Sequence, residues 1–355
     1  MDSQFTHLAQ SFFPAGRDNS WPLSAVALLA FVGAFAVCML ATPLVKRLAW
    51  KCGALAHPDA RRLHPEPIAQ WGGLAIFVAV AVAALLWRQP TLQDIRQLAP
   101  SGSTADIEAT KQTLHLSTVF FGCGLMMLLL GMLDDRFELR PIFKFSGQIF
   151  IVYLLWRGGV RIQTLPFTAG TQSLSDSASL ALTMLWVLGL TNGVNFIDGV
   201  DGLAAGVCAI AAGSLCIVEV MKNASWAAAA SAALCGASLA FLRYNFHPAK
   251  IFLGDAGSML LGFWLASIAV AAAAKTAAAT TLALPMLVLG VPVFDTLWAI
   301  TRRTLAGQPM WRADRGHLHH RLLARGFSPQ KTVAVIYTVS ALLGAFAIIY
   351  TGMRG

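Results

Sequence analysis

Residues 180–218 read LALTMLWVLGLTNGVNFIDGVDGLAAGVCAIAAGSLCIV. Two apolar runs, each suited to a membrane helix, meet at a joint that holds Asn192, Asn195, Asp198 and Asp201 among three glycines. Asp198 and Asp201 lie three apart, so both can face one side of a helix end. Ionisable groups beside membrane helices are expensive, and their presence there points to function.

Working outward, the same texture covers the chain. Of 355 residues 57% are hydrophobic and only 12% charged, against about 25% charged in an ordinary soluble domain. Ten apolar stretches recur at roughly bilayer-spanning length, at 23–45, 72–87, 116–133, 143–157, 178–197, 202–221, 226–243, 257–274, 281–301 and 332–352. Those at 72–87 and 143–157 are short, so the count stands at ten or eleven. The expected fold class is an all-α polytopic membrane protein, a single domain over residues 1–355 with no internal repeat of 20 to 50 residues. The first stretch ends in Leu44, Val45, Lys46 and Arg47 without a small-residue cleavage site, which predicts a retained helix.

Ten spans place alternate loops on opposite sides. One set carries 17 Lys and Arg and the other, with both termini, carries 9. The basic set is predicted to be cytoplasmic and both termini periplasmic or extracellular. The formal charge of +9 follows mostly from this bias and calls for no nucleic-acid partner. Five of the six cysteines fall inside apolar stretches and Cys52 falls in a cytoplasmic loop, so free thiols are expected.

The unusual polar segments all fall on the cytoplasmic side, although the charge count did not require it. They are HPDARRLHPEPIAQWGG (57–73), GMLDDRFELRPIFK (131–144), the joint above, YNFHPAKIFLGDAGS (244–258) and RRTLAGQPMWRADRGHLHHRLLARG (302–326). They read as the walls of one polar cleft. Adjacent carboxylates repel unless a cation intervenes. Magnesium suits Asp134, Asp135, Asp198, Asp201 and Asp255, because it takes one or two protein carboxylates and fills its other positions with water and phosphate oxygens. Five carboxylates exceed that need, so some are left to bind substrate or accept a proton. Helix capping is the plain alternative for any one of them. Lys144 and Lys250 could each meet a phosphate or simply snorkel at the interface. The loop 302–326 holds six arginines with His317, His319 and His320 and no cysteine, a composition better suited to an anion than to zinc.

LDDRFELRP, NGVNFIDGVDGLA, NFHPAKIFLGDAGS and RGHLHHRLLARG, in this order, resemble the polyprenyl-phosphate N-acetylhexosamine-1-phosphate transferase family. The resemblance spans about residues 23–352. It implies transfer of a sugar 1-phosphate from a UDP-sugar to a polyprenyl phosphate in the bacterial plasma membrane, with release of UMP and a need for Mg²⁺, Mn²⁺ being the alternative. It implies that Asp255 and Asp198 serve the metal, and that Asp134, Asp135, Asp198 and Lys144 are catalytic, the first two near the lipid phosphate. By the same likeness Asn192 and Asn195 belong to the nucleotide-sugar region, Asp201 and Asn245 meet the uridine, and Phe252 stacks on its ring. Arg315 and the stretch His317, His319, His320 would close over the sugar diphosphate. The peptidoglycan branch carries three consecutive histidines followed by Phe-Glu, whereas His317-Leu318-His319-His320 resembles the branch that uses UDP-GlcNAc and undecaprenyl phosphate to start a cell-envelope glycan. A homodimer is compatible with this reading. Many relatives have an arginine before Gly72 and Gly73, where this chain has Gln70 and Trp71.

A transporter is the rival reading, with Asp295 and Glu219 as its deep ionisable groups, but such proteins place these groups at the midplane of repeated halves. Asp295 is expected either to lie near the lipid phosphate or, the preferred reading, to pair with Arg302 along its helix. Because a phosphate monoester is largely ionised at neutral pH, with a second pKa of about 6, direct attack by the lipid phosphate is expected, an aspartate taking any residual proton.

Overall fold

The computed structural model describes residues 22–57, 66–98, 104–164, 174–275, 283–305, 307 and 316–353. Twelve helices are described: α1 (Leu23–Cys52), α2 (Gly72–Leu98), α3 (Thr104–Phe137), α4 (Pro141–Arg157), α5 (Asp176–Ile197), α6 (Leu203–Met221), α7 (Ser225–Asn245), α8 (Gly254–Lys275), α9 (Ala283–Val288), α10 (Gly290–Leu305), α11 (Leu318–Ala324) and α12 (Pro329–Gly352). Seven of them, α1, α3, α5, α6, α7, α8 and α12, are long and apolar enough to cross a bilayer. The shorter expected stretches fall on α2, on α4 and on the pair α9–α10.

Two details depart from an uninterrupted set of helices. Leu55–Ala56 (β1) and Ile68–Ala69 (β2) pair antiparallel, Leu55 opposite Ala69, and so brace the connection between α1 and α2. The stretch 281–301 is divided at Leu289. Pro292 has no N–H to give Val288, and Gly290 is the costliest ordinary residue inside a helix.

Small residues set the packing. Ala27, Ala30, Ala34 and Cys38 of α1 are buried, as is nearly every Ala and Ser of α7, and these two helices make one of the largest contacts in the bundle. Between helices in lipid, close backbone approach through small side chains replaces the hydrophobic drive. At the centre stands α8, enclosed by α2, α3, α5, α6 and α7. Its Trp264 stacks between Phe77 and Phe120, with ring centroids 5.4 and 5.2 Å away. That enclosure fixes where the N-terminus of α8, with Asp255, opens toward the polar segments.

Candidate active site

The predicted polar segments converge on one end of the bundle. Backbone hydrogen bonds from Phe252 N to Ala69 O (2.8 Å), Gly72 N to Phe252 O (3.1 Å) and Gly73 N to Leu253 O (3.3 Å) join the first segment to the fourth. The Arg136 guanidinium donates to Cys52 O at 3.0 Å, tying in the second. His319 packs on Gly199, tying the fifth to the third. The opposite end carries its own contacts, such as Trp226 Nε1 donating to Ser117 Oγ at 2.9 Å.

Glycines let the α2, α3 and α8 ends close up. A Cβ on Gly73 would collide with the backbone of Gly257, and one on Gly131 with the backbone of Ala256. With Gly131 against α8, Asp135 one turn later reaches over the α8 N-terminus and accepts from Asp255 N (2.7 Å) and Ala256 N (3.1 Å). The carboxylate satisfies orphan helix amides and meets the positive end of the helix dipole. Gly254 precedes them in the left-handed region at φ 72°, directly beneath the Asp135 oxygens.

Lys144, from the first turn of α4, is inserted between two carboxylates, with Nζ 2.7 Å from both Asp134 Oδ2 and Asp255 Oδ2. Asp134 also accepts from Leu139 N at 2.9 Å, which fixes the α3–α4 turn. The other Asp255 oxygen accepts from Asn195 Nδ2, which also donates to Ser258 Oγ at 2.8 Å. Asp134, Asp135, Lys144, Asn195 and Asp255 thus form one connected network.

Asp198 differs. It follows the last residue of α5, and its carboxylate has no hydrogen-bond or ion-pair partner among the described residues. Its recessed position, with Asp255 and Asp201 nearby, pushes its pKa up from 3.8 to about 8. Asp201 accepts from His247 Nδ1 (2.9 Å) and Ala249 N (3.1 Å). The expected substrate ligand Asn245 is engaged by the protein itself, donating to Ile251 O at 3.0 Å and accepting from Gly202 N at 3.2 Å. Asn192 likewise donates to Gln148 Oε1 and Leu188 O, both at 2.8 Å. Phe252 is partly exposed at the rim.

The histidine stretch closes against the joint. The His317 ring lies 5.4 Å from Phe196 and 6.1 Å from His319, whose ring is 4.2 Å from that of His320. His319 is 1% exposed with neither ring nitrogen hydrogen-bonded. Burial and the neighbouring histidines push its pKa down to about 4, so it is neutral at pH 7. Arg315 lies outside the described residues. Asp295 does not pair with Arg302 as expected: it accepts from His317 Nδ1 and Leu318 N, while Arg302 donates to Gly316 O at 3.0 Å. The contact between α10 and the N-terminal end of α11, not spacing along one helix, sets the partner of Asp295.

Two participants were not singled out from sequence. Gln148 is fully buried one turn beyond Lys144 and donates to Met259 Sδ at 3.0 Å; a lone amide inside an apolar stretch, four residues from a site lysine, was the available signal. His247 lay inside a segment already noted. Trp71, next to the Gln70 that stands where many relatives have an arginine, adopts φ 72° and donates from Nε1 to Met132 O at 3.3 Å, bracing the loop onto α3.

No cluster of three or more candidate ligands that could hold a metal occurs among the described residues. Magnesium takes one or two protein carboxylates and completes its shell with water and phosphate oxygens, so Asp198 and Asp255 are a sufficient protein share for it.

The glycosyl transferase family 4 model matches residues 117–273, which include the acidic and amide segments. The chain is 33% identical to the "Probable undecaprenyl-phosphate N-acetylglucosaminyl 1-phosphate transferase" of Bacillus subtilis, over 91% of the chain and 84% of that protein. It is 36% identical to the "Decaprenyl-phosphate N-acetylglucosaminephosphotransferase" of Mycolicibacterium smegmatis, over 95% of the chain and 84% of the relative. A more distant likeness, 29% over 94% of the chain and 99% of the relative, joins it to the "Phospho-N-acetylmuramoyl-pentapeptide-transferase" of Shouchella clausii. With likeness of this extent running through the segments that build the cleft, the chain belongs to glycosyl transferase family 4.

Proposed function

We propose that the protein transfers GlcNAc-1-phosphate from UDP-GlcNAc to undecaprenyl phosphate, giving undecaprenyl-diphospho-GlcNAc and UMP, at the cytoplasmic face of the bacterial plasma membrane. The observation that carries the reading is the gathering of Asp134, Asp135, Asp255 and Lys144 beside Asp198, which has no partner among the described residues. The names of the two more similar relatives support the sugar and the lipid class. Ten passages, with both termini outside, are supported by the gathering of alternate loops at opposite ends and by the excess of basic residues on the cleft side.

In this reaction an oxygen of the lipid phosphate attacks the phosphorus that carries the sugar. The bond from that phosphorus to the bridging oxygen breaks, and the electron pair leaves with UMP. Such a transfer needs positioning and charge neutralisation more than covalent help from the protein. Lys144 supplies a fixed positive charge at the α3–α8 contact, and Asp135 locks the α8 N-terminus. Asp134 sits beside Lys144 at the end of α3, where it can take a residual proton from the acceptor phosphate. Asn195 orients Asp255. Asp201, held by His247 and Ala249 N, and Phe252 form the rim suited to the uridine.

Asp198 and Asp255 are the residues that would hold Mg²⁺. The Asp198 carboxylate, without a partner among the described residues and crowded by two other acids, fits a cation. When bound, the ion would neutralise diphosphate charge. Purified enzyme offered each donor separately tests the assignment. UDP-GlcNAc is expected to give UMP and UDP-MurNAc-pentapeptide none, since His317-Leu318-His319-His320 departs from the three-histidine pattern. Turnover of the pentapeptide donor alone would move the protein to the other branch.

A further inference from the structure

Asp295 has a role that neither the acidic network nor the metal requires. Its side chain is 5% exposed, on α10, and its two oxygens serve neighbouring groups of another element. Oδ2 accepts from His317 Nδ1 at 2.8 Å and Oδ1 from Leu318 N at 2.8 Å. His317 precedes the first residue of α11 but makes no side-chain cap, so the cap comes from a different helix. The carboxylate oxygen accepts, so His317 Nδ1 carries the hydrogen of this bond, and in a neutral ring that leaves the lone pair on Nε2. Nε2 has no hydrogen-bond partner among the described residues. The ring is steadied by Phe196 and by a parallel His319, its plane 5° away, beside the segment that leads to Asp198.

We propose that Asp295 is a positioning residue that fixes the tautomer and orientation of His317, so that Nε2 faces the sugar diphosphate of the donor. The inference rests on the transferase reading above. A carboxylate behind an imidazole is how proteins set which ring nitrogen meets the ligand. The arrangement also ties the histidine turn to α10, a helix whose Phe294, Leu297 and Trp298 are exposed on its outer side.

Capping and tautomer control are separable by substitution. In Asp295→Asn the amide oxygen can still accept from Leu318 N, but the amide nitrogen must donate to Nδ1, which moves the ring hydrogen to Nε2. Turnover at saturating donor is expected to fall on the order of 10²-fold or more, as when a histidine is held in the wrong tautomer. The melting temperature should stay within about 1 °C of wild type, less than a kilocalorie-scale loss would give in a chain of this length. Asp295→Ala removes both bonds and should lower both readouts. His317→Asn keeps a donor near the Nδ1 position and loses Nε2, so it should be as slow as Asp295→Asn, and the double variant no slower than either. An Asp295→Asn enzyme within about threefold of wild type, or losses that multiply in the double variant, would overturn the proposal. Histidine-selective ¹⁵N spectra of the wild-type protein in detergent, with His317→Gln assigning the signal, provide a readout independent of variant folding and of turnover. A protonated Nδ1 with a bare Nε2 is expected, and the opposite tautomer overturns the proposal. Wild-type enzyme that transfers nothing from UDP-GlcNAc while showing the expected tautomer would instead count against the transferase reading.

Discussion

Two regions of the cleft handle carboxylates in opposite ways. At the α3–α4–α8 contact, Asp134, Asp135 and Asp255 are all satisfied by Lys144, by helix amides or by Asn195. At the end of α5, Asp198 has no protein partner among the described residues, and His319 beside it is buried with both nitrogens unpaired. The first region is preorganised, its charges fixed before any substrate arrives. Polar groups in the second have no such partners among the described residues, and the fold bears the cost of holding them.

The comparison breaks most visibly at Lys144. Lys144→Met removes the cation shared by two recessed carboxylates, so turnover should fall on the order of 10³-fold or more, with a stability loss of about 3 kcal/mol, the scale for breaking a buried pair. Steady-state UMP release and thermal melting in detergent check both. A variant that is slow but fully stable would mean the network is not the scaffold inferred here.

Asp198→Asn should behave differently. Turnover is expected to drop on the order of 10²-fold or more, the scale for losing one preorganised electrostatic contact in the transition state, yet metal-free stability should hold or rise, because no partner among the described residues is lost and the cost of keeping a crowded acid protonated is removed. A destabilised Asp198→Asn would show that the carboxylate is paired after all and would erase the contrast.

The pH dependence of stability sharpens the same point. Asp198 has a folded value of about 8, above the ordinary 3.8. Below about pH 4 it is protonated in both folded and unfolded chains and contributes no penalty. As pH rises toward 8 the unfolded chain ionises first, so its contribution to folded stability is lost across that window. Metal-free enzyme should therefore melt progressively lower from about pH 4 to about pH 8, and Asp198→Asn should lessen the slope. Mg²⁺ should raise the melting temperature more near the top of that window than in its middle.

The smallest effect is expected at His319. His319→Phe fills the same space against Gly199 and removes two unpaired nitrogens, so stability should be equal or greater while turnover falls about tenfold, the low end for one polar contact to substrate. Unchanged turnover would mean that the unpaired imidazole only packs.

Much of this was legible in the sequence because it depends on local composition. A bilayer demands apolar runs of set length, so the helices could be read off, and polar residues stand out against such runs. The gathering of the acidic and amide segments on one side followed from the same alternation. What escaped depended on contacts between distant segments. Nothing local indicates that Asp295 reaches His317 instead of Arg302, because the two lie on different elements 22 residues apart. The pairing of Leu55–Ala56 with Ile68–Ala69 is too short to leave an alternating pattern. Asn192 and Asn245 look like Asn195 in sequence, and only their neighbours, Gln148 for one and Ile251 and Gly202 for the other, reveal that they brace the cleft.

The central claim is that one cleft joins a membrane-borne phosphate directly to a nucleotide-sugar donor. The most direct test incubates purified, lipid-stripped enzyme with Mg²⁺, UDP-GlcNAc and labelled UMP, with and without undecaprenyl phosphate. With the lipid, UMP release should equal the formation of undecaprenyl-diphospho-GlcNAc. Without it, no label should enter UDP-GlcNAc. Exchange of labelled UMP into the donor in the absence of lipid would reveal a phosphosugar held on the protein and contradict direct transfer.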